Sequence, residues 1–137
     1  SGVIGVDYEF LEAALLFAAV PDAYFGLGTR ADGTLTVSPA FPDGLDYWKM
    51  ENLTYGGYYY DLSVGKSFAE ISDVAEYKEG SAVAGTKAEI SFRKPSFDFV
   101  IYLDGKQTSD YRTEGDRVIV TFAFRSAKVE IRERSSR

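Results

Sequence analysis

Hydrophobic and polar positions alternate with a period of two along most of the chain after Asp22, a pattern that predicts β-strands. Residues 34–38 alternate around Leu35 and Val37. Residues 47–55 and 58–64 flank Gly56-Gly57, a hairpin turn pair, and Gly65-Lys66 turns the chain into residues 68–73. Residues 76–82 are polar and read as a loop. Residues 87–93 set Ala88, Ile90 and Phe92 on one face. Residues 97–103 place Phe97, Phe99, Ile101 and Leu103 together and run into Asp104-Gly105, a strong hairpin signal. Residues 106–112 return from that turn, and 117–124 and 127–132 complete nine strands. Short strands at regular spacing predict a mainly β fold, an antiparallel β-sandwich of jelly-roll type. The alternation also assigns faces. Tyr58 and Tyr60 join Leu62 and Val64 as core, while Tyr59 shares the exposed face of Asp61 and Ser63. Val118, Val120, Phe122 and Phe124 form the apolar face of a central strand.

The chain before Asp22 reads differently. Asp7 is a helix N-cap, Glu9 and Glu12 sit near the positive end of the dipole, and Pro21 discourages continuation past Val20. The expected helix, 7–20, is apolar on nearly every side from Phe10 onward; Leu11, Leu15, Leu16 and Phe17 follow. A helix lying on one sheet shows a single stripe. This one wants cover on two sides, so it is either an interdomain contact or a plug in the mouth of the sandwich. Its apolar run is eleven residues, interrupted by Glu12. A membrane span needs about 20. Ser1-Gly2 has the look of a cleavage scar, which leaves one domain over 3–132 with the leading helix and a charged tail, 133–137, expected to fray.

Composition narrows the chemistry. Apolar residues make up 45% of the 137 and charged residues 26%, as in ordinary globular proteins. The formal charge is −6, with no basic stripe, which argues against nucleic acid and anionic membrane surfaces as partners. There is no His and no Cys. That removes Ser-His-Asp and Cys-His nucleophiles, zinc sites, haem and iron–sulfur ligation. Carboxylates, Lys, Tyr and hydroxyls remain for acid–base work. No cofactor is implied, and no metal: Asp104, Asp110, Glu114 and Asp116 lack calcium-loop spacing. Redox compartment and localisation cannot be read without cysteines or a targeting segment.

Two sets of residues carry candidate chemistry. Trp48, Tyr59, Tyr47 and Tyr55 can form an aromatic platform that stacks on sugar rings; the same residue types also favour strands and pack sandwich cores. Paired carboxylates suit glycoside hydrolysis, and the candidates are Asp43 with Asp46, Asp61 with Glu51, and Glu114 with Asp116. Nothing in the spacing brings a pair to the required separation, and turn or solvated roles explain each. Gly26-Leu27-Gly28 lacks the third glycine of a phosphate loop and follows a helix instead of a strand. Asn52-Leu53-Thr54 matches a glycosylation acceptor, which matters only in a eukaryotic secreted protein.

The order of motifs between Leu11 and Ile71 is distinctive. Phe25-Gly26-Leu27-Gly28 leads to Gly33-Thr34-Leu35-Thr36-Val37-Ser38-Pro39, then to Phe41-Pro42-Asp43-Gly44-Leu45. A strand pair follows from Met50-Glu51-Asn52-Leu53-Thr54-Tyr55 through Gly56-Gly57 to Tyr58-Tyr59-Tyr60-Asp61-Leu62-Ser63-Val64. This succession resembles the C-terminal region of bacterial glycoside hydrolases built on an (α/α)6 barrel, such as α-L-rhamnosidase-like enzymes and disaccharide phosphorylases. There the last barrel helix gives way to a capping β-sandwich. Val118-Ile119-Val120 and Val129-Glu130-Ile131 look like its closing strands. The resemblance implies one accessory domain of a larger glycosidase, with the catalytic carboxylates upstream, and it transfers no catalytic residue here. It also implies a partner: the catalytic barrel of the same polypeptide, met through Phe10, Leu11, Leu15, Leu16 and Phe17. Oligo- or polysaccharide is the second expected partner.

Overall fold

The computed structural model describes residues 25–40 and 47–135. The helix expected over 7–20, with its contact residues Phe10, Leu11, Leu15, Leu16 and Phe17, lies outside the described residues. Eleven strands are present among the described residues: β1 (Leu27–Thr29), β2 (Leu35–Val37), β3 (Tyr47–Tyr55), β4 (Tyr58–Gly65), β5 (Phe68–Glu76), β6 (Lys87–Arg93), β7 (Phe99–Leu103), β8 (Lys106–Thr108), β9 (Arg112–Glu114), β10 (Arg117–Ala123) and β11 (Ala127–Glu133). They form a five-stranded sheet of order β1-β2-β6-β10-β9 and a six-stranded sheet of order β3-β4-β5-β11-β7-β8.

The apolar faces of both sheets meet in one core. Leu35, Val37, Ile90, Phe92, Val118 and Val120 come from the first sheet; Tyr60, Leu62, Val64, Ile71, Ile101 and Val129 come from the second. Most of the expected faces hold: Tyr60 is 1% exposed, Val118 and Val120 are buried, and Tyr59 lies outside, but Phe97, expected with Phe99, Ile101 and Leu103, precedes β7 and is exposed. Each fully buried Leu, Val or Ile side chain contributes about 1.5–3 kcal/mol through removal of apolar surface from water.

Local chemistry explains the hairpins. Gly56 and Gly57 both take positive φ, 59° and 85°, which a two-residue turn with the strands' own twist requires. A side chain on Gly57 would also strike the Ser81 carbonyl oxygen, because the loop after β5 lies against the turn: the Val83 N–H donates to the Gly56 carbonyl at 2.9 Å and Tyr77 N–H to Gly57 at 2.8 Å. At the β7–β8 turn, Asp104 adopts φ 53°. Its carboxylate accepts the Lys128 N–H at 2.8 Å and the Arg125 guanidinium at 2.9 Å, which ties the turn to β11.

The architecture departs from the expected nine antiparallel strands in four places. Leu27–Thr29, ahead of the first strand the alternation predicts, pairs with β2 as a three-residue edge strand. The single strand expected over 106–112 is two, and they belong to different sheets: β8 pairs β7, and β9 pairs β10. Between them the Asp110 N–H donates to Thr108 Oγ1 and the Tyr111 N–H to the Ser109 carbonyl, turning the chain across the sandwich. β2 and β6 pair in parallel, so the fold is not purely antiparallel, and five plus six strands exceed the eight of a simple jelly roll. Finally, the tail expected to fray from residue 133 is held at its start: Glu133 pairs with Phe99 in β11, and the Arg134 N–H donates to the Asp98 carbonyl at 2.8 Å.

Candidate functional site

β6 runs through the middle of the five-stranded sheet. With Ala88, Ile90 and Phe92 facing the core, Glu89 and Ser91 face outward, where solvent is expected. Both are nevertheless buried, at 6% and 7% exposure. Glu89 is covered by two arginines that reach it from opposite edges of the sheet. Arg30, just past β1, sets Nε 3.2 Å from Oε1 and Nη2 2.5 Å from Oε2, a bidentate pair. Arg112, opening β9, places Nη2 3.5 Å from Oε1. The same guanidinium donates through Nε to Glu114 at 2.8 Å and through Nη1 to the Thr121 hydroxyl at 3.2 Å.

The turn between β1 and β2 aims Arg30. Its N–H donates to the Thr34 carbonyl at 2.9 Å, and Gly33 at φ 91° donates back to the Arg30 carbonyl. The Thr34 N–H donates to Asp32 Oδ1 at 3.0 Å, and this bond holds the Asp32 carboxyl below its usual range. The hydrogen bonds to Glu89 raise Arg30 above the ordinary guanidinium value. Arg112 is raised chiefly by its bond to Glu114, and Glu114 is lowered by the same bond.

Arg30 and Glu89 of this network also line a depression of about 420 Å³. Thr36 and Ser38 line one side, Ser91 and Ile119 the floor, and Glu114 and Arg117 the other side. Arg117 donates Nε to Ser91 Oγ and Nη2 to the Ser91 carbonyl, both at 2.8 Å. Arg117 and Glu114 are direct cross-strand neighbours, yet each is turned toward another partner. The depression therefore offers charged donors and acceptors in a fixed arrangement, suited to hydrogen bonding.

The four aromatic candidates do not share a surface. Trp48 faces the core side of β3, opposite Val64, and is packed against the core. Tyr55 also turns inward; its ring meets Phe124 edge-on at 5.0 Å. Its hydroxyl donates to the Gly33 carbonyl, with the Lys87 carbonyl 3.1 Å away, so it links the two sheets. Tyr47 and Tyr59 are exposed, at 58% and 40%. Tyr47 sits opposite Gly65 and Tyr59 opposite Thr54, at opposite ends of the β3–β4 ladder. At ~3.3 Å per residue that is about 20 Å apart. Tyr59 instead stacks on Tyr77, ring centroids 4.9 Å apart and tilted 32°.

Of the carboxylate pairs, Asp43 and Asp46 lie outside the described residues. Glu114 is engaged by Arg112, and Asp116 stands 3.9 Å from Arg93. Asp61 accepts the Asn52 N–H at 3.0 Å, and Lys49 lies 3.9 Å from Asp61 and 3.6 Å from Glu51. Asp61 also meets an acidic partner the sequence did not suggest, Asp73. The hydrogen bond that the protonated Asp73 carboxyl donates to Asp61 is the main cause that pushes Asp73 above its ordinary range. Two carboxyls in direct contact are closer than the ~5 Å that a retaining glycosidase needs to admit a glycosidic bond. Among the described residues, no group of three or more acidic side chains is placed to hold a metal ion.

Sequence reasoning missed the network around Glu89 altogether. Glu89 is 59 residues from Arg30 and 23 from Arg112, and a polar residue on the outward face of a strand gives no signal by itself.

No protein-family model matches the chain, and no curated protein matches its sequence. Its fold has a counterpart. An α-L-rhamnosidase from Dictyoglumus thermophilum matches with a TM-score of 0.59 and 11% identity. The match covers 88% of this chain but 14% of the rhamnosidase. At that identity the likeness concerns the fold: this two-sheet architecture recurs as a small β portion of a much longer glycoside hydrolase.

Proposed function

We propose that the chain is a non-catalytic accessory β-sandwich of a glycoside hydrolase, packing on and stabilising an (α/α)6 catalytic barrel. The observation that carries this reading is the fold match: nearly the whole chain aligns with about one-seventh of an α-L-rhamnosidase. The motif order from Phe25 to Val64 supports it independently. The chemistry agrees. Asp61 and Asp73, whose carboxyls hydrogen-bond to each other, are too close to flank a glycosidic bond.

Incubating the 137-residue chain with a panel of nitrophenyl glycosides, the α-L-rhamnoside included, tests the reading. No release of nitrophenol above the uncatalysed rate is expected. Turnover lost on Asp61→Asn substitution would overturn the non-catalytic assignment.

A further inference from the structure

The depression that Arg30 and Glu89 help to line holds more polar groups than their latch uses. A latch between Arg30, Glu89 and Arg112 accounts for those three side chains. It does not account for Arg117 and Glu114, which are cross-strand neighbours that make no ion pair with each other. Arg117 spends Nε and Nη2 on Ser91, leaving both hydrogens of Nη1. Glu114 spends Oε2 on Arg112, leaving Oε1. Both line the same cavity, so one strong donor and one strong acceptor face a common space. The hydroxyls of Thr36 and Ser38 stand across from them, and Ile119, 4% exposed, closes the floor.

We propose that this depression is a saccharide-binding site for a neutral sugar of one or two rings. A hydroxyl both accepts and donates, so one sugar hydroxyl, or a vicinal pair, bridges Arg117 Nη1 to Glu114 Oε1 without breaking any existing bond. Thr36 and Ser38 take further hydroxyls. The volume of about 420 Å³ falls within the range of small-molecule pockets. Neutrality of the ligand follows from the two charges that face the space together: Glu114 repels an anion and Arg117 repels a cation. Arg30 already holds Glu89, and Glu114 already holds Arg112. A charged ligand would compete with these partners. A neutral polyol uses what they leave. The site involves none of the aromatic residues, and it stands whether or not the chain caps a catalytic barrel.

The test is a titration of the isotopically labelled 137-residue chain, followed by backbone amide shifts, with L-rhamnose, D-galactose, D-glucose, D-xylose, cellobiose and D-glucuronate in turn, each to the order of 10 mM. At least one neutral sugar is expected to give saturable shifts at Thr36, Ser91, Arg117 and Ile119. Glu114→Gln and Arg117→Lys are each expected to weaken binding about tenfold, the effect of losing a charge-assisted hydrogen bond, while shifts distant from the cavity stay native. If Arg117→Lys disturbs the fold, Glu114→Gln alone decides. Absence of saturable shifts with every neutral sugar overturns the proposal. So does binding of D-glucuronate alone, or binding that Glu114→Gln leaves unchanged. None of these outcomes bears on the accessory-domain reading, which the enzymatic assay tests separately.

Discussion

Arg30 grips Glu89 across two strands, Nε on Oε1 at 3.2 Å and Nη2 on Oε2 at 2.5 Å. The carboxylate is 8% exposed and the guanidinium 49%. A buried carboxylate on the outward face of a central strand is costly unless it is paired. Arg30 from one sheet edge and Arg112 from the other satisfy it together, and in doing so they tie β1 and β9 to β6. Glu89→Ala is expected to destabilise the fold by roughly 1–2 kcal/mol. That is less than the ~3–5 kcal/mol of a fully buried pair, because both arginines can rehydrate. Urea unfolding of the variant measures it; an unchanged midpoint would mean that the latch contributes nothing.

Tyr55 makes a different link. Its hydroxyl on the Gly33 carbonyl joins the edge of the six-stranded sheet to the turn that aims Arg30. Tyr55→Phe keeps the ring on Phe124 and is expected to cost about 1 kcal/mol, the typical net worth of one hydrogen bond. The same variant is expected to leave saccharide-induced shifts in the Glu89 depression in place. Thermal unfolding and the sugar titration check both halves.

Two glycines in one neighbourhood separate steric from conformational effects. Gly57 has φ 85°, and a Cβ there would lie 1.9 Å from the Ser81 carbonyl oxygen. Gly80 has φ 81° with nothing within 4 Å. Gly80→Ala is expected to cost about 1–2 kcal/mol, the strain of a left-handed alanine. Gly57→Ala adds a backbone collision and is expected to cost clearly more. Equal losses in denaturant unfolding would contradict the close approach of the 77–86 loop to the hairpin turn.

Two aspartates in left-handed conformation respond to pH with opposite sign. Burial pushes the Asp104 carboxyl up, but the Lys128 N–H and the Arg125 guanidinium outweigh it and leave the carboxyl below its ordinary range. A folded value below the unfolded one gives stability that is present above the ordinary carboxylate range and lost as pH falls through the folded value. Asp73 is the reverse. Its carboxyl is raised by Asp61, so its favourable contribution is present at acid pH and lost as pH rises through the folded value. Asp73→Asn mimics the protonated form at every pH, and Asn tolerates the 54° φ. It is expected to stabilise the chain at neutral pH, with the gain vanishing in acid. Asp104→Asn is expected to destabilise at neutral pH, with the loss vanishing in acid. Melting temperatures across pH 3 to 8 distinguish the two curves.

Much of the fold is legible where one face of a strand is apolar and the other polar. Ala88, Ile90 and Phe92, and Val118 and Val120, fix both strand and face, because a one-residue slip would expose the whole set. The Gly56-Gly57 turn is equally legible, since its backbone needs glycine. The break between β8 and β9 is not. Lys106, Gln107, Thr108, Ser109 and Asp110 are all polar, so no change of period marks the point where the chain leaves one sheet for the other. The crossing is fixed instead by side-chain capping at Thr108 and by the packing of Tyr111 on Phe99, centroids 5.9 Å apart. The parallel pairing of β2 with β6 is also invisible locally, because it is set 50 residues away by the shared core. Among the candidate residues, alternation correctly turned Tyr59 outward. It could not place Tyr77 against it, or Asp73 against Asp61, since the register of β4 on β5 shifts between Tyr59 and Asp61. The Glu89 network depends on three strands meeting, and no single stretch of sequence holds it.

The accessory-domain reading is tested most directly by the mass of the native polypeptide in its source cell, detected with an antibody raised against this chain. The account predicts a polypeptide several times larger than 15.2 kDa that releases nitrophenol from glycosides when captured. A native polypeptide near 15.2 kDa, inert and alone, would contradict it.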